Sequence, residues 1–245
     1  MGATVLFLGG NGHCAARLQA ARAAAAPLGL VIAGAAYPGF EGRPRAASLS
    51  GFLAAIEPQA AGAALVYATG IGGLVALCLR AHGAWRGRPL ILQGPVLWGL
   101  EHRLMPRLMR IGGLRGAASA LFGWGPFRAA FVRRYFERRL QPEEASAFFD
   151  GYARCSALPD FFAWLTPRLL RDLELRFAAD PAALADIDVW WGARDRVVTQ
   201  DELRWTEAAL GVKWPPHVFE AWGHYPMIDD PAGWASALAE AATRR

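Results

Sequence analysis

Hydrophobic and polar positions alternate along this chain in two rhythms. Short apolar runs occupy residues 4–10 (TVLFLGG), 30–36 (LVIAGAA), 64–69 (ALVYAT), 89–97 (PLILQGPVL), 187–193 (IDVWWGA) and 217–223 (HVFEAWG), and longer alanine- and leucine-rich runs separate them. Runs of this length bounded by glycine and proline predict strands. Because they are apolar throughout, both of their faces need covering, which predicts a parallel sheet between two helical layers. Helices are expected over 14–27, 48–58, 72–83, 199–211 and 230–243. Asp201 is the expected cap of the fourth of these.

The rhythm breaks between residues 100 and 181. That stretch has no strand-like run and carries helix-type patterns rich in aromatics and arginine: EHRLMPRLMRIGG, FRAAFVRRYFERRL, PEEASAFFDGYARC and DFFAWLTPRLLRDLELRF. It reads as a helical cap inserted after the fourth strand. The expected organisation is a core formed by 1–99 and 182–245 with a cap over 100–181, and the expected class is α/β, a three-layer αβα sandwich with a mostly parallel sheet.

Composition narrows the picture. A chain of 245 residues, 54% hydrophobic and 19% charged, can bury one large core. No run approaches the ~18 apolar residues of a spanning helix. The opening MGATVLFLGGNG lacks a basic flank and predicts a core strand rather than a leader. Cys14, Cys78 and Cys155 are few, odd in number and without metal spacing, which suggests reduced thiols in a cytoplasmic protein and no metal site. The net charge of +5 is carried almost wholly by arginine, since Lys213 is the only lysine. No zinc-finger or RNA-binding signature accompanies it, so nucleic acid is not an expected partner.

Candidate chemistry begins at residues 65–77, LVYATGIGGLVAL: a strand, a glycine-rich turn and a helix start. Three more segments lie at strand ends: FLGGNGH (7–13), WWGARDRVV (190–198) and GHYPMIDDP (223–231). In this order they resemble the α/β-hydrolase fold with a helical cap. The resemblance covers nearly all of the chain outside the cap, although the antiparallel hairpin usual at that family's N-terminus is lacking, so a shorter, all-parallel sheet is expected. It implies an acidic triad member at Asp195 and a histidine at His224, 29 residues apart and in the family's order. It also implies a nucleophile elbow, G-x-S-x-G, but Gly70 stands on the serine and Ala68 on the first glycine. The nucleophile is missing.

On this alignment His224 is the expected general base and Asp195 its orienting partner. Gly10 or Asn11, with the N–H of Ile71, is the expected oxyanion hole. Thr69 and Cys14 are weaker candidates for a substitute nucleophile. Phe40, Trp98 and Tyr225 are expected to line the pocket. The other tryptophans are read as core, and His82, His102 and His217 as structural or surface residues. Three accounts of Gly70 stay open. The dyad works on water or on a bound substrate, in hydrolase-like or lyase-like chemistry without a cofactor; the old pocket binds without catalysis; or a native nucleophile has been replaced. The intact pair favours the first.

The cap adds a substrate expectation. Phe127, Phe131 and Tyr135 repeat at i, i+4 and share one helix face, with Phe136 beside them; Arg128, Arg133, Arg134, Arg138 and Arg139 surround them in the same expected helix. With Phe148, Phe149, Phe161 and Phe162 as further apolar wall, this predicts an apolar small-molecule substrate. A peripheral membrane contact through the arginines is a further expectation.

Overall fold

The computed structural model describes residues 2–109, 111, 120–157, 160 and 163–244. Six strands form one sheet: β1 (Ala3–Leu8), β2 (Leu30–Gly34), β3 (Leu65–Thr69), β4 (Leu90–Gln93), β5 (Ile187–Gly192) and β6 (His217–Phe219), in the order β2-β1-β3-β4-β5-β6. Every pairing is parallel. The uninterrupted apolar runs of β3 and β4 are buried along their whole length, as a doubly covered strand requires. The edge strands depart from this: Val31 in β2 and Val218 in β6 reach solvent because nothing pairs beyond them.

Helices α1 (Gln19–Ala25), α2 (Leu49–Ile56) and α3 (Ile71–Ala81) follow the first three strands. A 3₁₀ turn over Ala15–Leu18 precedes α1, so the first helix starts later than its pattern suggests. Ser48 caps α2 by accepting from the Gly51 N–H. The central helix α3 is buried from Ile71 to Arg80, and burial pushes its Cys78 thiol up to about 12. It is a core side chain.

Between β4 and β5 the described residues form α4 (Leu104–Met109), α5 (Gly125–Tyr135), α6 (Pro142–Ala153) and α7 (Pro167–Ala179). The last of these buries Leu170, Leu173 and Phe177 and packs on α3. After β5 come α8 (Gln200–Leu210), α9 (Pro226–Asp229) and α10 (Pro231–Thr243). Thr199, not Asp201, caps α8: Glu202 accepts from the Thr199 N–H in a capping box, and Asp201 is exposed in the first turn.

The arginine-rich helix is shorter than its periodicity predicts. It ends at Tyr135, and Phe136 is extended (φ −120°, ψ 145°) and buried against Phe148 and Tyr225. Tertiary bonds stop the helix. Glu137 N–H donates to Asp229, and Arg138 donates to the Ile228 carbonyl and the Glu144 carboxylate. Arg138 and Arg139 therefore lie beyond the helix and are not part of a basic helix face. Trp124, just before α5, is exposed rather than core.

Candidate active site

The four quoted segments meet at the C-terminal edge of the sheet. Gly70 links β3 to α3 with φ 55° and ψ −125°, a conformation an L-residue adopts only under strain. A Cβ placed on Gly70 would meet only the Gly10 Cα, at 4.0 Å, so the turn has room for a side chain it does not carry. Its carbonyl is held by Gly73 N–H and Val96 N–H, which fix the turn against the end of β4.

His224 Nδ1 lies 2.9 Å from Asp195 Oδ2, and the Asp195 side chain is wholly buried. The other carboxylate oxygen accepts from Val197 N–H at 2.7 Å and Val198 N–H at 2.9 Å, so Asp195 caps its own turn while facing the imidazole. Burial alone would raise this carboxyl. The His224 charge and hydrogen bond, with the two N–H groups, outweigh burial and hold it below the ordinary carboxylate range. A charged Asp195 takes the Nδ1–H, so Nε2 is the nitrogen left for proton transfer. Gly94 makes this approach feasible: a Cβ there would stand 3.0 Å from Asp195 Oδ2 and 3.7 Å from His224 Nδ1.

The residues 9–12 lie across from the elbow. A Cβ built on Gly10 would be 3.7 Å from Ile71 N. Ile71 opens α3, so its N–H has no acceptor within the helix. Arg17 anchors this loop to the cap, donating to the Asn11 carbonyl at 2.9 Å and to the Phe148 carbonyl at 2.6 Å, with its guanidinium 3.7 Å over the Phe148 ring. Among the described residues, Asn11 Oδ1 and Thr69 Oγ1 are buried without a hydrogen-bond partner.

A cavity of about 630 Å³ stands over these groups, bordered by Gly10, Asn11, Thr69, Gly70, Ile71, His224 and Tyr225. Its far walls come from the cap and from α8. Phe127, Phe131 and Tyr135 face it together, with Phe131 stacked on Tyr135 at 3.7 Å. Phe122 and Tyr152, stacked at 3.9 Å, complete the aromatic wall, and neither stood out in the sequence. His102 also borders the cavity, its ring tilted against Trp205 with centroids 4.3 Å apart, although the sequence suggested no role for it.

Several expected residues stand elsewhere. Phe40 is buried in a cluster with Tyr37 and does not reach the cavity. Trp98 turns its indole N–H to Glu174 in α7, at 2.5 Å, because a buried indole needs an acceptor. Phe148 and Phe149 pack behind the wall rather than in it. Phe161 and Phe162 lie outside the described residues. Cys14 is buried with its thiol toward the Ala147 carbonyl, away from the cavity. His13, next to it, is buried against Phe7 and Tyr37. His82 bonds the Cys78 carbonyl, and His217 is exposed on the edge strand. Among the described residues no cluster of histidine, cysteine and carboxylate side chains is arranged to hold a metal.

No protein-family profile matches the sequence, and no curated protein matches it. Solved structures do match in shape. A loop variant of a haloalkane dehalogenase from Bradyrhizobium elkanii superposes with a TM-score of 0.68 at 17% identity, covering 99% of this chain and 89% of its own. A candidate aryl esterase from Burkholderia cenocepacia gives 0.71 at 17% identity, covering 100% and 92%. A laboratory-evolved variant of potato epoxide hydrolase gives 0.71 at 13% identity, covering 100% and 93%. At these identities the likeness establishes the fold: this chain has the α/β-hydrolase fold with a helical insertion after β4.

Proposed function

We propose that this chain is a hydrolase-like enzyme that acts on an apolar small molecule through the His224–Asp195 dyad, with water in place of a serine nucleophile. One observation carries the reading: a buried dyad, joined at 2.9 Å, borders an open aromatic-walled cavity that also contains Gly70. Collapsed side chains over Gly70 would have argued for a relic.

The chemistry runs through this chain's own groups. Asp195 accepts the Nδ1–H of His224 and fixes the tautomer. Nε2 takes a proton from water, and the hydroxide adds to an electrophilic carbon of the substrate. The negative charge that moves onto the substrate oxygen is met by the Ile71 N–H and by Gly10 or Asn11 N–H. Collapse breaks the bond to the leaving group, which takes the proton back from the imidazolium.

The test is hydrolysis of a panel of aryl and alkyl esters, epoxides and haloalkanes. His224→Ala should lower the rate about 100-fold or more. Asp195→Asn should also lower it by presenting the wrong tautomer. A His224→Ala variant as active as the wild type would refute the dyad mechanism, and a wild type that turns over nothing on the panel leaves the second reading, a binding protein without turnover or a chain whose nucleophile has been replaced. That reading is favoured by the elbow's unused side-chain space at Gly70.

All three cysteines are free and buried, which supports a reducing, cytoplasmic setting. Exposed Leu104, Ile111 and Trp124 with Arg107 and Arg133 support a peripheral contact with an anionic membrane. No helix of the described residues is long and apolar enough to cross one.

A further inference from the structure

One part of the cavity wall carries charge. From α5, residues 127, 130, 131, 134 and 135 face the cavity, so Arg134 stands on the same wall as Phe131 and Tyr135. Arg103 and Glu202 face it from the other side. Glu202 is fully committed: both carboxylate oxygens accept from Arg103 at 2.7 Å, and one also accepts from the Thr199 N–H. Arg103 spends Nε and Nη2 on Glu202 and the Val197 carbonyl, and its Nη1 has no bond among the described residues. Arg134 has no carboxylate partner among the described residues either.

Among the described residues that border the cavity, two guanidinium groups against one carboxylate leave a single positive charge. A neutral substrate would make no use of that charge, whereas a carboxylate would pair with it. A dianion would be only half matched.

We propose that the substrate is an amphiphilic monocarboxylate, its aryl or alkyl body against Phe122, Phe127 and Phe131 and its carboxylate held by Arg134 and Arg103 Nη1. This rests on reading the cavity as the substrate site. The carboxylate anchors the substrate while the dyad works on its reacting bond. Arginine suits the task because its planar fork presents paired donors to a carboxylate.

Isothermal titration with 4-phenylbutanoate and its uncharged amide, 4-phenylbutanamide, tests this without any turnover. The acid should bind the wild type about tenfold more tightly than the amide, the scale of one charge-assisted hydrogen bond. Arg134→Gln should remove most of that preference and leave the amide unchanged, and Arg134→Lys should keep part of it. The preference should shrink between low and physiological salt. Equal binding of acid and amide by the wild type, no binding of either, or an Arg134→Gln variant that still prefers the acid would overturn the proposal. The two readings fail separately. Charge-selective binding with an equally active His224→Ala variant sinks the catalytic reading alone. Equal binding with His224-dependent turnover sinks the carboxylate site alone.

Discussion

Placing a serine at position 70 is the most direct probe of the elbow. The Gly70→Ser change meets no steric obstacle, because the nearest heavy atom to a new Cβ is the Gly10 Cα at 4.0 Å. What remains is backbone strain. At φ 55° and ψ −125° a non-glycine residue costs ~1–3 kcal/mol. That should move a urea midpoint by about 1 M at an m-value of ~2 kcal/mol/M. Gly72→Ser is the control. A Cβ there would meet the Leu8 carbonyl oxygen at 2.3 Å and the Gly9 carbonyl at 2.8 Å, so backbone must move and the loss should be clearly larger. The second readout is a fluorophosphonate probe followed by peptide mapping. The wild type should carry no adduct within residues 65–77, since Gly70 has no hydroxyl to phosphonylate. The Gly70→Ser variant should be labelled there, and adding His224→Ala should slow labelling about 100-fold. A folded Gly70→Ser protein that stays unlabelled would mean that His224 is not poised as a base over the elbow. Labelling of the wild type in this stretch would mean that the turn has been misaligned.

Two further perturbations test other parts of the molecule. Burial first, then the charge of Arg17, lowers the His13 imidazole from 6.5 to about 4. The native state thus refuses a proton that the unfolded chain accepts, and this stabilisation is full above about pH 6.5 and lost as the pH falls toward about 4, ~3 kcal/mol in all. Burial raises Asp229 to about 6, and that linkage runs the other way, with stability lost as pH rises from about 4 toward 6. The readout is therefore the difference between wild type and His13→Gln in urea midpoints at pH 7 and pH 4.5; identical pH dependence in the two would refute it. The proposed membrane contact predicts co-flotation with anionic liposomes at low salt, weakening at physiological salt. Failure to float in both would remove it.

The parts of the fold and site that were legible in the sequence are those written in contiguous residues. The central strands announced themselves as apolar runs because a doubly covered strand has no polar face to interrupt it, whereas the edge strand β6 was read the same way and is largely exposed. Asp195 and His224 were legible because each sits in a segment whose local order fixes its place at a strand end. The cavity wall was less so. Phe127, Phe131 and Tyr135 share a helix face by spacing alone and do face the cavity together. Phe122 and Tyr152 become neighbours only through the packing of two segments 30 residues apart. Trp98 and Phe40 show the opposite error. Adjacency to a site in sequence does not fix where a side chain points, and each turned toward a stronger claim, Trp98 to the Glu174 carboxylate and Phe40 to the ring of Tyr37. His102 was set aside for want of an acidic partner, yet its partner is an indole in α8.

Glycine shows most clearly why sequence alone left the function open. Gly70, Gly72 and Gly94 look alike as letters beside a strand end. The structure gives each a different reason. Gly72 is demanded by close approach, since the β1 carbonyls occupy the space of a side chain. Gly94 leaves room for the dyad, which would otherwise be pressed by a methyl group at 3.0 Å from Asp195. Gly70 is demanded by neither. Its φ favours glycine, but the volume above it is open and belongs to the cavity. The missing side chain is therefore no consequence of packing. It leaves a space over the turn in the cavity that His224 also borders, where a water molecule or a polar atom of the substrate can stand within reach of the Ile71 N–H.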